Sequence, residues 1–340
     1  HNNLKKVQKK RIRHYKKWAW RRLGFETEGG PAMAKLKKIV GQTRHAGVGS
    51  LKKPDGTYTQ DTKEFIQLLV NSNFPDSREG WDEPETERPF VRKTFEWLTM
   101  ERLKRAINKL NPHKACGPDE IKPIVLQNLP DNALKKLLEI YSCSLSAGYT
   151  PEAWKKSRVV FIPKPGKKTY DEVKSFRPIT LSNHPLKVLE RLALWRIEET
   201  AMVNAPLSNN QHAYRTDRSC ETAAASVQAF VEKGLKDKDY VVVANIDISS
   251  AFNGILVKTL ADSMRRRGVE EEIINWYEDL IKQRKAEITI KGNTIHVTIT
   301  RGVPQGGVIA VLSWNLSMDD LLIIIERSKL HLLPVAFADD

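Results

Sequence analysis

The 340-residue chain is poor in cysteine and lacks a long apolar run. Without an apolar span of about 18 residues, or a signal peptide with a hydrophobic core, the sequence predicts neither a membrane protein nor a secreted one. Its three cysteines, Cys116, Cys143 and Cys220, are far apart, so we expect reduced thiols and a location in the cytoplasm and nucleus. The eight histidines are scattered without a Cys/His cluster, and no zinc site is predicted.

Positive charge is in excess and is concentrated at the beginning of the chain. The formal net charge is +15, and residues 1–50 carry 14 Lys and Arg against Glu26 and Glu28, which leaves about +3 for the remainder. These cations surround aromatic residues, a combination that suits phosphate neutralisation and base stacking. The sequence leaves a second interpretation open, a solvated basic helix whose tryptophans pack on the next domain. The residues concerned are Lys5, Lys6, Lys9, Lys10, Arg11, Arg13, Lys16, Lys17, Arg21 and Arg22, with Tyr15, Trp18 and Trp20.

Two apolar runs end in acidic residues. Residues 240–247 read YVVVANID, and residues 332–340 read LLPVAFADD. Short runs of this kind predict buried strands whose carboxylates emerge at the tips, here Asp247, Asp339 and Asp340. Carboxylates on neighbouring strand tips raise one another's pKa unless hard cations lie between them. The pattern therefore predicts a divalent-metal site with Mg²⁺ as the natural candidate, although each acid signal alone is more typical of an ordinary turn.

A glycine-rich loop lies between the two sets of acids. Residues 301–308 read RGVPQGGV and precede an apolar stretch, including Trp314, that is predicted to be a helix. Glycine lets the main chain approach a ligand closely, and Gln305 offers both a donor and an acceptor. Phe252 follows Asp247 by a few residues and by itself would be interpreted as a core aromatic.

In this order, the motifs resemble the palm of reverse transcriptases, in particular those of jockey-like non-LTR (LINE-type) retrotransposons. The resemblance begins near residue 95 and extends to the last residue. Each motif is common by itself, so the specificity lies in their order and spacing. Further segments that carry the resemblance are residues 117–119 (GPD), 162–166 (IPKPG), 175–179 (SFRPI) and 211–215 (QHAYR).

The resemblance implies a catalytic site with two metal ions. Asp247, Asp339 and Asp340, assisted by the main-chain carbonyl of Ile248, would hold two Mg²⁺ ions, for which Mn²⁺ is a possible substitute. In the family, such ions activate the primer 3′-hydroxyl and neutralise the leaving pyrophosphate during an in-line displacement. No side-chain nucleophile is then required.

Five further residues match the family's nucleotide and template contacts. Lys164 and Arg177 would meet the triphosphate, because phosphoryl transfer depends mainly on positioning and charge stabilisation. Phe252 would lie under the incoming sugar and exclude a 2′-hydroxyl, which favours deoxynucleotides over ribonucleotides. Gln305 and Gly306 would shape the nascent base pair against the template.

Several positions depart from the family pattern. Asn253 stands where members often have Asp, and Ala310 and Val311 stand where they often have Ser-Pro. In the segment 211–217, Ala213 replaces a usual glycine, and a second glycine is replaced near Asp217, so the backbone there would be altered locally. None of these changes removes a predicted metal ligand.

The distribution of helical and alternating patterns predicts an α+β fold. The resemblance implies the fingers and palm of a right-hand polymerase, with the palm truncated and the thumb absent. We expect a basic N-terminal extension or linker at 1–94, fingers at 95–200, and a palm at 201–340 that ends at the catalytic Asp pair. Helices are predicted over 99–110, 134–145 and 273–284, a strand over 159–162, and a hairpin over 288–299 around Gly292 and Asn293.

The sequence thus predicts the RNA-directed DNA polymerase portion of a non-LTR retrotransposon polyprotein, which adds dNTPs to a DNA primer opposite an RNA template. The implied partners are the RNA template, the primer or target DNA and the dNTPs, with no membrane. Because the chain begins without methionine and stops at the acids, we expect a fragment whose thumb and endonuclease lie elsewhere. Two alternatives stay open, a non-catalytic nucleic-acid-binding remnant and a group II intron-type reverse transcriptase.

Overall fold

A computed structural model describes residues 49–79, 91–167, 169–248, 250–328 and 330–338, with the backbone alone for Arg78 and Glu79. The contacts between residues divide the chain into two units, residues 1–50 and the larger unit of residues 51–340. The basic segment of residues 1–48, together with Asp339 and Asp340, lies outside the described residues, so the predictions made for them stay predictions.

Helices and short strands alternate along the described chain, as expected for an α+β fold. The helices are α1 (Thr62–Asn73), α2 (Met100–Asn108), α3 (Pro123–Gln127), α4 (Asp131–Ala147), α5 (Glu152–Lys155), α6 (His184–Glu199), α7 (Ala201–Asn204), α8 (Cys220–Lys236), α9 (Ala251–Gly254), α10 (Val257–Arg266), α11 (Glu271–Lys282) and α12 (Ala310–Arg327). The strands are β1 (Arg78–Glu79), β2 (Lys156–Pro163), β3 (Phe176–Leu181), β4 (Arg284–Ile290) and β5 (Asn293–Ile299).

The described strands form one sheet in the order β1-β5-β4-β2-β3. Strands β4 and β5 make an antiparallel hairpin whose turn residues, Lys291 and Gly292, have φ angles of 48° and 80°. Two central residues at positive φ match the twist of the flanking strands. The predicted hairpin is confirmed, with its turn one residue earlier than expected. Strand β2 joins the hairpin to β3, because it pairs parallel with β4 and antiparallel with β3.

Helix α1 covers one face of this sheet. Its N-terminus is capped by the side chain of Asp61, which accepts a hydrogen bond from Glu64 N at 2.8 Å. Ile66 and Val70 are fully buried against the apolar side chains of β2, β4 and β5. The ring of Phe65 meets that of Phe176 edge to face, with centroids 6.1 Å apart. The N-terminal part of α1 is thereby held beside the beginning of β3.

A larger core is built from helices α2, α4, α6, α10, α11 and α12. In α11, apolar residues at helical spacing bury Trp276 completely and leave Tyr277 only 1% exposed. Tyr141 of α4 is also fully buried, and its hydroxyl donates to the carbonyl of Pro185 at 2.6 Å. Burial of a large side chain stabilises the fold by roughly 1.5–3 kcal/mol.

A buried ion pair ties α10 to α12. The carboxylate of Asp319 is fully buried and pairs with Arg267, whose guanidinium also donates to Asp320 Oδ1 at 3.1 Å. The second oxygen of Asp319 accepts a hydrogen bond from Ser208 N at 2.7 Å. This network holds the loop before residues 211–215 against α12.

The two predicted acid-bearing strands are not strands in the described structure. Residues 240–248 have no regular structure, and Val242 and Ile246 are 89% and 72% exposed. In residues 330–338, Ala336 alone makes a ladder contact, an isolated parallel bridge to Gln211. Both predictions were wrong because a β-branched run becomes a strand only where another strand supplies hydrogen bonds, and no described strand lies beside either run.

The predicted helices and the strand at 159–162 correspond to α2, α4, α11, α12 and β2. One residue was placed in the wrong element, because α11 ends at Lys282 and Arg284 begins β4. The sheet combines strands from the ranges 95–200 and 201–340 with β1, so the predicted division into fingers and palm stays a prediction. Throughout the described ranges, no helix combines the length and apolar character needed to cross a membrane.

Candidate active site

Six of the predicted site residues line one cleft of about 400 Å³. A volume of this size falls in the range of roughly 300–1,000 Å³ that is common for small-molecule sites. The cleft lies among β3, α9, the C-terminal end of α1 and the loop of residues 301–309, called the glycine loop below. The six predicted residues in it are Lys164, Arg177, Asp247, Ile248, Phe252 and Gln305.

The cleft is rich in cations. Besides Lys164 and Arg177, it contains Lys167 and Lys174, and the one carboxylate that lines it is Asp247. None of the four cations forms an ion pair with another described residue, so their charge is available to an anion. Such an electrostatic surface suits a polyphosphate.

The loop that presents these cations is held by main-chain contacts. The amide of Lys164 donates to the carbonyl of Ser175 at 2.8 Å, and the hydroxyl of Tyr170 donates to the carbonyl of Lys164 at 3.0 Å. Lys167 and Lys174 were not predicted, although each lies within three residues of a predicted one. Ser72 and Asn73, at the end of α1, also line the cleft and had no recognisable signal in the sequence.

The ring of Phe252 is supported from below by Trp314. The two rings are stacked, with centroids 5.9 Å apart and planes inclined by 27°. The indole nitrogen of Trp314 donates to the carbonyl of Ala338 at 2.6 Å, and Ala338 immediately precedes Asp339 in the sequence. One side chain of α12 therefore contacts both Phe252, the predicted barrier to a 2′-hydroxyl that is called the sugar gate below, and the backbone before the acid pair.

The glycine loop is bonded to elements on both sides of the cleft. On one side, Gly302 N donates to Ile255 O at 2.7 Å, and Val303 N donates to Phe252 O at 2.8 Å. On the other side, the carbonyl of Gln305 accepts a hydrogen bond from Thr180 N of β3 at 2.9 Å. The loop is thus a main-chain bridge between the segment of Phe252 and β3, the strand that contains Arg177.

Two glycines of this loop are required by close approach. Gly302 has a φ of 74°, and a Cβ there would lie 2.6 Å from the backbone of Asn253. Gly306 has a φ of 121°, and a Cβ there would lie 2.8 Å from Thr180 O. Neither position has room for a side chain, which gives a physical reason for the loop's composition.

The donor set in the cleft suits a hard cation, but the described residues contain only part of it. Asp247 is exposed and supplies a carboxylate, and the adjoining Ile248 supplies a main-chain oxygen. Across the described ranges, no cluster of three or more His, Cys, Asp or Glu side chains could hold a metal. Since Asp339 and Asp340 are not described, the predicted three-acid site stays a prediction.

The positions that depart from the family pattern have well-defined environments. Asp217 has a φ of 60°, a region that Asp tolerates better than most non-glycine residues, which explains why glycine is usual nearby. Ala213 is buried, and its carbonyl accepts a hydrogen bond from Asn315 Nδ2 at 3.1 Å. Asn253 lines the cleft beside Phe252 and contacts the backbone of Gly302.

Known proteins resemble this chain over most of its length. Residues 162–340 match a family model described as reverse transcriptase (RNA-dependent DNA polymerase). The chain is 27% identical over 310 residues to the RNA-directed DNA polymerase from mobile element jockey of Drosophila melanogaster, covering 86% of this chain and 33% of that protein. It is 26% identical over 315 residues to the Pol polyprotein from the type-1 retrotransposable element R1 of Bradysia coprophila, covering 93% of this chain and 31% of that protein. The chain thus spans about a third of the length of the curated relatives it matches.

Proposed function

The chain belongs to the reverse transcriptase (RNA-dependent DNA polymerase) family, and we propose that it is the polymerase portion of a jockey-like non-LTR retrotransposon polyprotein. In this role it extends a DNA primer by copying an RNA template. The observation that carries the proposal is the convergence in one cleft of Asp247, Phe252, Gln305 of the glycine loop and four cations that form no ion pair within the described ranges. Residues from distant parts of the sequence meet there, which supports a nucleotide-binding role for the cleft.

The cations provide the binding energy for the triphosphate. Lys164 and Arg177 neutralise phosphate oxygens, and Lys167 and Lys174 add to the positive field of the cleft. Phe252, supported by Trp314, forms a rigid surface under the sugar, where a 2′-hydroxyl would meet the ring. The glycine loop positions Gln305 against the nascent base pair, because its carbonyl is fixed to β3. Binding, sugar selection and base-pair geometry are thereby assigned to separate groups.

Divalent metal ions are general to the family, and their proposed ligands are Asp247, the carbonyl of Ile248, Asp339 and Asp340. When bound, two Mg²⁺ ions favour deprotonation of the primer 3′-hydroxyl and offset the charge of the leaving pyrophosphate. The chain's own contribution is to hold the acid-bearing backbone. Trp314 restrains Ala338 by a hydrogen bond, and Ala338 directly precedes Asp339 in the sequence.

The proposed partners are an RNA template, a DNA primer at a nicked target and deoxynucleoside triphosphates, in the cytoplasm and nucleus. The curated relatives are about three times as long as this chain. The activity, target and partners of the complete polyprotein are therefore part of the proposal.

Primer extension on an RNA template by the complete polyprotein tests this function. The unsubstituted protein is expected to incorporate dNTPs in the presence of Mg²⁺, whereas Asp247→Asn and Asp339→Asn are expected to abolish incorporation. Glu232→Gln, at an exposed carboxylate on α8, is the matched control and is expected to leave incorporation unchanged. Equal incorporation by the aspartate variants would refute the assigned metal ligands.

A non-catalytic remnant is the second candidate, favoured by Asn253, which lies in the cleft where family members often have Asp. A remnant would bind a primer–template duplex without extending it. Binding of the duplex by the unsubstituted protein, combined with no incorporation under Mg²⁺ or Mn²⁺, would support the remnant. Restoration of incorporation by Asn253→Asp would then identify that residue as the cause.

A further inference from the structure

Two buried charged side chains hold the two ends of the glycine loop. Glu190, on α6, is 1% exposed, and Arg284, the first residue of β4, is 4% exposed. Neither makes an ion pair with any residue that the structure describes. Burial of a charge without a counter-ion is costly, so their other contacts must compensate for lost hydration.

Arg284 holds the beginning of the loop through main-chain carbonyls. Its Nη1 donates to Gly302 O at 2.5 Å and to Ile281 O at 3.3 Å, and its Nη2 donates to Arg301 O at 3.0 Å. Ile281 lies in the last turn of α11, where the helix dipole favours a cation. Burial lowers the pKa of Arg284 to about 10, so the guanidinium is still charged at neutral pH.

Glu190 holds the end of the loop. Its Oε1 accepts a hydrogen bond from Val308 N at 3.2 Å, just before α12 begins, where the helix dipole favours an anion. A Cβ on Gly307 would lie 3.1 Å from this oxygen, so the carboxylate packs directly under the loop. Its Oε2 has no hydrogen-bond partner in the described part of the chain. Lys187 and Arg191 on the same helix and Tyr277 on α11 are the charged or titratable groups that act on Glu190.

Between these two anchors, the loop makes the contacts that define the cleft. Val303 is bonded to the carbonyl of Phe252, and Gln305 is bonded to the amide of Thr180. The anchors lie on opposite sides of these contacts along the chain. Movement at either end would therefore displace the loop relative to Phe252 and to β3, the strand that contains Arg177.

We propose that Glu190 and Arg284 are positioning residues that clamp the glycine loop in the shape needed for the incoming nucleotide, an inference that rests on the proposed polymerase function. Neither side chain lines the cleft, so both act through the main chain of the loop. Two buried ionisable side chains that form no ion pair within the described residues would be a poor device for stability alone, because apolar residues of similar volume are often at least as stabilising. Because both side chains form hydrogen bonds with main-chain amides or carbonyls of the loop, we assign them the role of fixing its conformation.

The test compares apolar and conservative variants at both positions in the complete polyprotein. Glu190→Met and Arg284→Met keep the side-chain length but remove the acceptor or the donors. Glu190→Gln keeps an oxygen that can accept from Val308 N, and Arg284→Lys keeps the charge with fewer donors. Glu198→Gln on α6 and Lys282→Met at the end of α11, both exposed, are the matched controls.

Two readouts are needed. Hydrogen–deuterium exchange of peptides covering residues 301–309, measured without substrates, reports on the clamp itself. The KM for dNTP and kcat in primer extension report on its use. We expect faster loop exchange and a rise in the KM for dNTP of about tenfold in both Met variants, the scale expected for loss of a charge-assisted hydrogen bond. The conservative variants should recover most of the loss, with Glu190→Gln closer to the unsubstituted protein.

The outcomes separate the clamp from the proposed function. Unchanged loop exchange in both Met variants would refute the clamp, whatever the polymerase activity. A lowered Tm with unchanged KM would also overturn it, because the two residues would then serve stability alone. No primer extension by the unsubstituted protein would instead refute the proposed function, while faster loop exchange in the Met variants would still show that the residues hold the loop.

Discussion

Replacing Trp314 by Phe should separate the two contacts that this side chain makes. The stack on Phe252 needs an aromatic ring, whereas the bond to Ala338 O, at 2.6 Å, needs the indole N–H. Trp314→Phe therefore keeps the stack and removes the hydrogen bond. Trp314→Leu removes both contacts.

The expected free-energy costs of the two substitutions follow from the burial of Trp314. Trp314 is 4% exposed, so the carbonyl of Ala338 loses a shielded partner in Trp314→Phe, at a cost of about 1–2 kcal/mol. If that free energy restrains the backbone before the acid pair, the productive conformation becomes about 5- to 30-fold less populated. Loss of the aromatic stack in Trp314→Leu adds roughly 0.5–1.5 kcal/mol at the sugar gate.

Primer extension with dNTPs and rNTPs over a Mg²⁺ titration distinguishes these effects. Trp314→Phe is expected to lower kcat and to raise the Mg²⁺ concentration needed for half-maximal rate, with unchanged preference for dNTPs. Trp314→Leu is expected to lose part of that preference as well. A Trp314→Phe protein with the kcat and Mg²⁺ dependence of the unsubstituted protein would refute the role assigned to the hydrogen bond.

Other substitutions test the fold around the site by urea unfolding. Gly302→Ala should destabilise the protein by more than about 2 kcal/mol, because positive φ and a 2.6 Å backbone contact both oppose a Cβ, whereas Gly292→Ala, in open space, should cost only about 1 kcal/mol. Asp319→Asn should cost about 3 kcal/mol, because it removes the fully buried carboxylate that pairs with Arg267 and leaves Asp320 as the remaining partner of that guanidinium. Asp262→Asn, at a side chain that is 45% exposed, should cost less than about 0.5 kcal/mol, and equal midpoints of urea unfolding for the two variants would contradict this. Burial raises the pKa of Glu190 above its ordinary 4.5, so the folded state binds more protons than the unfolded state. The free energy of unfolding should therefore fall as pH rises from 4.5 through the raised pKa. Glu190→Gln should flatten this pH dependence, and an unchanged slope would show that Glu190 is not its source.

Local patterns predicted the elements that carry their own hydrogen bonds or an adjacent partner. The apolar faces of α2 and α4 follow directly from helical spacing, and the β4–β5 hairpin from alternation around a glycine. The strand predicted at residues 240–247 was wrong because a strand requires a neighbouring strand, which β propensity cannot identify. The assignment of Arg284 to a helix was wrong because this residue continues the apolar spacing of α11, although the helix ends two residues before it.

The site was predicted in part for the same reason. Lys164, Arg177, Phe252 and Gln305 lie in motifs whose order is informative, and the structure brings them into one cleft with Asp247. Residues that act from behind the cleft gave no comparable signal. In the sequence, Glu190 is an ordinary helical acid, and its position under the glycine loop becomes visible only after folding.

Iron-mediated cleavage measures whether the distant acids converge on shared metal ions. Fe²⁺ bound in place of Mg²⁺ generates hydroxyl radicals that cut the backbone close to the ion. If the acids do converge, we expect cuts near Asp247 and near residues 338–340 in the same population of molecules, both suppressed by excess Mg²⁺ and both lost in Asp247→Asn. Cuts at one of the two segments alone, or none at either, would contradict this convergence.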